Sequence, residues 1–314
     1  LVDFSDAVAT RAPRDVFAMI SPAAEQRFAA LSYGRMRMFL DPVLVWLRMS
    51  KPSTAYGWPT LSYADQKAYL QEAVQLAGGR LASTQPSAVV VLANPDASAL
   101  SYGPAFTANP GEGILVNGQV VDNGATSGAD LLAWGSGWLN HELGHTLSLV
   151  DLYELDAMPE AQFHYTGDFS LMGNILGVGA EYLGWERWVL GWLDNDAVVC
   201  AGRGVTQATL APIESDGGGV KLLVVPTSAR TAVVVESRRA LGDDVGLRKP
   251  GALVYAVDVG LASGHGVVKV LPIDDRDVRK LSAPLALGES VTYGGVTVTA
   301  DAPDALGDHV EVRY

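Results

Sequence analysis

Residues 137–153 read Gly-Trp-Leu-Asn-His-Glu-Leu-Gly-His-Thr-Leu-Ser-Leu-Val-Asp-Leu-Tyr, and within them His141, Glu142 and His145 spell H-E-x-x-H. Residues four apart share one face of an α-helix, so both imidazoles can address a single ion. Glu142, one position after the first His, sits beside that face and can reach a water next to the ion. Two neutral nitrogen donors, an open coordination position and a carboxylate to accept a proton are what a zinc peptidase requires. The plainer alternative is a surface helix that happens to carry two histidines. Against it, the chain holds only five His, and the flanks (Trp138, Leu139, Leu143, Leu147, Leu149) are apolar. Such a helix is expected to be buried, where unpaired His and Glu are costly. The residues therefore point to a metal centre.

A catalytic zinc takes a third protein ligand. Asp151 comes six residues after His145, just past the expected helix end. A chain that turns sharply there can bring this carboxylate back to the ion. Glu154, Asp156 and His164 are the downstream alternatives.

The elements that must position these groups can be read from periodicity. Residues 1–4 read as a short strand, 23–40 as a helix broken near Ser32-Tyr33-Gly34, and Val43–Met49 as β-prone. A second helix is expected over 62–77, with Asp65 in its first turn and Gly78-Gly79 as its stop. The continuous apolar run 88–93 has the length of an interior strand. Residues 114–121 alternate around Asn117-Gly118, a hairpin signal. This order suggests an α/β layer with the His-bearing helix packed beneath a mixed sheet. Residues 154–180 are irregular and Gly-rich, as site-building loops are. Trp185, Trp188 and Trp192 recur at helical spacing within 181–193; core packing accounts for them more readily than ligand binding. Beyond Cys200 short β runs dominate: 205–210, 220–226, 232–236, 253–257, 267–271, 291–299 and 310–314. The expected organisation is a catalytic domain over 1–200 and an all-β, sandwich-like domain over 201–314, divided near 197–204.

The chain of 314 residues is 48% hydrophobic and can bury a substantial core. Its formal charge of −13 would repel a phosphate backbone, which argues against a nucleic-acid partner. No apolar run reaches the length of a membrane span. Some carboxylates could hold calcium, although no calcium-loop motif is present. The lone Cys200 excludes an intrachain disulfide. Leu1–Asp6 reads as the middle of a strand rather than a signal peptide, so the expectation is a form that begins inside a folded domain. His265 and His309 are expected at the surface.

The run His141–Tyr153 resembles the motif of the immune inhibitor A family of secreted bacterial metallopeptidases. That family is similar to the metzincin clan, whose motif is H-E-x-x-H-x-x-G-x-x-H/D. The stretch Asp168-Phe-Ser-Leu-Met-Gly-Asn-Ile-Leu-Gly177 resembles the family's Met-containing segment. Val2-Asp3-Phe4, Ser32-Tyr33-Gly34 and Leu190-Gly191-Trp192-Leu193 match family habits as well, so the resemblance covers roughly the first two hundred residues. It implies a metzincin-like α/β catalytic domain, zinc held by His141, His145 and Asp151, and Glu142 as general base. It further implies Met172 as the Met-turn residue beneath the metal, and secretion. The chain departs from the motif in three places. Ser148 stands where the turn has Gly, Val150 precedes Asp151 where Pro is common, and Asn174 occupies a position where some metzincins place a Tyr near the zinc. Tyr153, His164, Tyr165 and Tyr182 are then the candidates to stabilise an oxyanion.

The expected function is a zinc-dependent endopeptidase acting on protein or peptide substrates, with monomer as the simplest state. Substrate would add as a strand to a sheet edge, for which the 114–121 hairpin is the candidate. The rival readings are a processing protease for one precursor, and a binding protein whose metal centre is inert and whose β domain does the recognition.

Overall fold

The computed structural model describes residues 1–81, 85–274 and 276–314. The chain forms two compact units, residues 1–28 with 37–148, and residues 29–36 with 149–314. The architecture is mixed α/β and rich in sheet. Among the described residues no helix is long and apolar enough to cross a membrane.

In the first unit, β1 (Val2–Asp3) is followed by α1 (Pro13–Phe17), α2 (Ala23–Leu31) and β2 (Leu47–Arg48). β1 pairs in parallel with β2, and the buried Asp3 carboxylate accepts from Arg48 Nε at 2.7 Å. The helix α3 (Tyr63–Ala77) begins where Ser62 Oγ accepts the Asp65 N–H at 3.1 Å and ends at Gly78, whose φ is 50°. The strands β3 (Val89–Val91), β4 (Ala105–Thr107), β5 (Ile114–Val116), β6 (Gln119–Val121) and β7 (Asn123–Thr126) then lead to α4 (Leu131–Thr146). β7 lies between β3, its parallel neighbour, and β4, its antiparallel one, which makes the expected mixed sheet. β5 and β6 form the expected hairpin; Asn117 and Gly118 both take positive φ, 48° and 83°, as a two-residue I′ turn demands. Tyr69, Leu70 and Val74 of α3 share one apolar cluster with Val91, Phe106, Ile114, Val116 and Val121.

The first expected helix is shorter than its periodicity suggests. α2 stops at Leu31, because Tyr33 and Gly34 adopt left-handed φ values of 53° and 76°. Residues 29–36 belong to the second unit, where the Tyr33 hydroxyl donates to Ile213 O at 2.6 Å and Arg35 donates to Asp194 at 2.9 Å.

From residue 149 on, the described residues of the second unit form the short α-helix α5 (Gly184–Val189), 3-10 turns at Asn195–Ala197 and Gly242–Asp244, and the strands β8 (Val198–Cys200), β9 (Val205–Leu210), β10 (Leu222–Pro226), β11 (Thr231–Arg238), β12 (Gly251–Asp258), β13 (Val268–Val270), β14 (Ser290–Tyr293), β15 (Val296–Ala300) and β16 (Asp308–Arg313). These strands form a five-stranded sheet, β13-β12-β11-β10-β8, and a four-stranded sheet, β14-β15-β16-β9. Leu223, Val233, Val235 and Val254 of the first share a core with Val296, Val298, Val310 and Val312 of the second. Two sheets closing on one apolar layer make a sandwich.

The division of the chain corrects the expected boundary at 200, since it falls after Ser148 and leaves 149–200 with the β-strands. Buried charge explains why. Arg238 is 0% exposed and paired with Asp244 at 2.6 Å and Glu236 at 3.2 Å. The same guanidinium donates to the carbonyls of Gly179 at 2.6 Å and Phe169 at 3.2 Å. Glu236 Oε2 accepts from Gly184 N at 2.6 Å and from the Tyr255 hydroxyl at 2.7 Å. Asp168, also fully buried, accepts from Arg279 Nε at 3.1 Å. Parting residues 149–200 from the strands would leave the buried Asp168 without Arg279 and remove the backbone partners of Arg238 and Glu236 at Phe169, Gly179 and Gly184, and an unpaired buried charge is strongly destabilising.

Glu186 is 4% exposed; its Oε2 accepts from Leu183 N at 2.7 Å and Ser170 Oγ at 3.1 Å, while Oε1 has no hydrogen-bond partner among the described residues. Burial pushes its pKa up to about 8, against about 4.3 in an unfolded chain. The native state therefore keeps a proton that the unfolded state releases. The resulting stability is complete below about pH 4.3 and is lost as pH rises to about 8. Glu186→Gln should remove this part of the decline, so its stability relative to wild type should rise between pH 5 and pH 8.5. The gain should be on the order of a few kcal/mol at most. Urea unfolding at the two pH values measures it, and a pH-independent difference would show that Glu186 is ionised in the fold.

Candidate metal centre

The motif helix is not continuous. Gly135 takes φ 51° and ψ −129°, so an opening turn at 131–134 is kinked against the run that carries the histidines. That run is buried as expected: Trp138 and Leu139 are 0% exposed, His141 4% and Glu142 7%. Three contacts tie it to the segment entering β4. Asp130 Oδ2 accepts the Gly103 N–H at 2.8 Å, Trp138 Nε1 donates to Gly103 O at 2.6 Å, and Glu142 Oε2 accepts the Ala105 N–H at 2.7 Å. Gly103 is required here, since a Cβ would stand 2.0 Å from Thr126 O. Burial raises the Asp130 pKa above the usual carboxylate range, while the N–H groups of Gly103 and Gly128 oppose that rise. The bond from Ala105 matters most for chemistry, because it fixes one carboxylate oxygen of Glu142 and thereby the direction of the other.

The His141 and His145 rings lie 4.9 Å apart, nearly perpendicular at 87°. The helix ends in two tightened bonds, Leu147 N to Gly144 O at 3.0 Å and Ser148 N to His145 O at 2.9 Å. Ser148 then takes φ 76°, the left-handed conformation for which the motif ordinarily uses Gly. Beyond this turn Asp151 returns. One donor atom each from His141, His145 and Asp151 lie within 4.8 Å of one another. His141 is buried, and the other two are half-buried.

These residues could hold one metal ion. Two ligands of a tetrahedral zinc sit about 3.4 Å apart, so the observed spacing suits a common ion, and two imidazoles with one carboxylate are a donor set that zinc accepts. Among the described residues no other group of three such side chains gathers in this way. The alternative third ligands are engaged elsewhere. Glu154 Oε2 lies 3.3 Å from His164 Nδ1, and Asp156 lies 3.8 Å from His265.

The Asp151 carboxylate is itself held. Ser263 Oγ donates to Asp151 Oδ2 at 3.0 Å and accepts the Asp151 N–H at 2.9 Å. Sequence reading did not single out Ser263, which is 112 positions away and belongs to no local motif. Gly103 and Ala105 were missed as well, since they act through backbone groups that no side-chain pattern announces.

Met172 is fully buried, and its carbonyl accepts the N–H of Leu152, the residue after Asp151, at 2.9 Å. Asn174 is a turn residue: its Nδ2 donates to Asp168 Oδ1 at 3.0 Å. Of the oxyanion candidates, Tyr182 is fully buried and stacked on Trp192 at 5.7 Å, which makes it a core residue. Trp192 is buried with it, and Trp185 and Trp188 meet edge-on at 5.6 Å. The 114–121 hairpin does not offer an open edge at the middle of β5. The Gln71 amide takes both backbone groups of Leu115, at 2.9 and 3.0 Å. These bonds occupy the β5 edge of the hairpin at Leu115.

Ser148 marks a strained position, and substitutions should report it. Ser148→Gly should leave stability unchanged or raise it by up to about 1 kcal/mol, relief of the left-handed strain being partly offset by unfolded-chain entropy. Ser148→Val should lower it by about 1–3 kcal/mol. Thermal denaturation of the two variants checks the sign of each change; equal midpoints would mean that the turn carries no strain.

No protein-family model matches the chain, and no curated protein matches it either.

Proposed function

We propose that the chain is a zinc-dependent endopeptidase, similar in its site to the immune inhibitor A peptidases. The observation that carries this reading is the gathering of His141, His145 and Asp151 within 4.8 Å, with Glu142 beside His141 on the same helix. A structural metal site has no need of that carboxylate; a hydrolytic one does. Zinc, when bound by the three side chains, lowers the pKa of a water toward neutrality and polarises a peptide carbonyl.

The protein's own groups supply the rest. Glu142 accepts the proton of the attacking water and delivers it to the leaving amine. The Ala105 N–H holds Glu142 Oε2 and keeps the carboxylate in one rotamer. The low exposure of Glu142, 7%, keeps bulk water from competing for that carboxylate. Met172, buried and with its carbonyl on the Leu152 N–H, is the residue we assign to the floor beneath the metal. Proteins or peptides are the substrate class, and secretion accords with the family resemblance.

Glu142→Gln retains a carbonyl oxygen to accept the Ala105 N–H but cannot take up a proton. It should bind zinc as the wild type does and lose about 10²–10⁴-fold in kcat/KM. Chelator should abolish cleavage of casein or a peptide library, and added zinc should restore it. Zinc content by metal analysis, with cleavage measured on the same samples, tests both statements. A Glu142→Gln protein that cleaves at the wild-type rate defeats the mechanism, and zinc bound without cleavage of any peptide favours the binding-protein reading.

A further inference from the structure

We propose that Ser263, in the turn between β12 and β13, is a positioning residue that sets the Asp151 carboxylate for the metal; this rests on the zinc reading above. The turn grips residues 151–155 at four points. Ser263 Oγ exchanges two bonds with Asp151, donating to Oδ2 and accepting from N. Gly264 N donates to Asp151 O at 2.9 Å, and Leu155 N donates to Gly264 O at 3.2 Å. Gly264 has φ 72°, a left-handed value, and a Cβ there would stand 2.3 Å from Leu155 Cγ, so the turn is built for close approach to this segment.

The physical argument concerns orientation. His141 and His145 ride on a buried helix, whereas Asp151 stands in irregular chain after a left-handed turn. No helix or strand fixes it. A carboxylate on such a segment has two side-chain torsions and a mobile backbone, and ordering them opposes ligation. Ser263 restrains both at once: its accepted bond holds the Asp151 backbone, and its donated bond fixes the rotation of the carboxylate. Outer partners of this kind govern metal affinity because they determine where the ligand points before the ion arrives. The β-strand half of the chain thereby contributes to the metal centre without touching the metal.

The test compares full-length wild type, Ser263→Ala, Ser263→Thr and His141→Ala. Zinc affinity is measured by chelator competition, the absorption spectrum is recorded with cobalt in place of zinc, and thermal midpoints are taken in excess chelator. Ser263→Ala should weaken zinc binding by about 10–100-fold, alter the cobalt spectrum and leave the metal-free midpoint within a degree or two. Ser263→Thr keeps the hydroxyl at a half-buried position and should restore both affinity and spectrum. Wild-type affinity and spectrum in Ser263→Ala, with binding lost in His141→Ala, overturn the role of Ser263 and leave the zinc reading intact. A large fall in the metal-free midpoint of Ser263→Ala, or failure of Ser263→Thr to restore binding, assigns the residue to the fold instead. Absence of zinc binding by the wild type removes the inference together with the zinc reading.

Discussion

A helix can turn only so many donors toward one ion. Two imidazoles four residues apart occupy one side of the ion, and the next turn of a continued helix would carry the chain away from it. A third donor from nearby sequence therefore requires the helix to stop and the backbone to reverse. The reversal is made at Ser148, in a left-handed conformation adopted by a residue with a Cβ. Its location, immediately after the tightened last turn, lets Asp151 come within ligand distance of His141 and His145. The grouping exists because one backbone angle has the less common sign.

After that reversal, order has to be maintained without much regular structure. Between Leu149 and Cys200 the chain has α5, one 3-10 turn at Asn195–Ala197 and the three residues of β8, so few of its backbone groups find partners in helix or sheet. Side chains serve instead. The Arg238 guanidinium caps the carbonyls of Phe169 and Gly179, Arg187 caps those of Tyr182 and Ile213, and Glu236 caps the N–H of Gly184. A buried guanidinium with several well-placed acceptors suits this role, since its donors fan out in a fixed plane. The excess of buried carboxylates around the two arginines is tolerated because burial keeps Glu186 protonated near neutrality and raises Glu236 in the same direction.

What could be read from the chain was local. The His141–His145 pair, the Gly78 stop of α3, the Asn117-Gly118 turn and the β-runs after Cys200 each follow from spacing or turn chemistry within a few residues, and each recurs in the structure. Asp151 was legible because it follows the helix closely, and the need for a left-handed residue at 148 could be anticipated from the Gly that the motif places there. Ser263, Gly103 and Ala105 could not be read, since their contribution is a hydrogen bond across a long loop closure. The boundary was misplaced for a related reason. Composition changes at 200, where strands become frequent, but the unit is defined by buried arginines at 187 and 238 whose partners lie on both sides of that change. Hydrogen bonds from buried arginines to distant backbone carbonyls leave no periodic trace.

The bonds to Ala105 have a consequence for behaviour in concentrated solution. β4 is the outermost strand of its sheet, and outer strands present open donors and acceptors that can template pairing with another chain. At Ala105 neither group is open: Glu142 takes the N–H, and Gln66 donates to the carbonyl at 3.0 Å. Gln71 does the same for both groups of Leu115 on β5. Side chains thus occupy these short edges at Ala105 and Leu115. The carboxylate at the heart of the candidate site therefore also occupies an edge-strand donor, and replacing it with a residue that cannot accept a hydrogen bond would leave that backbone amide without this partner.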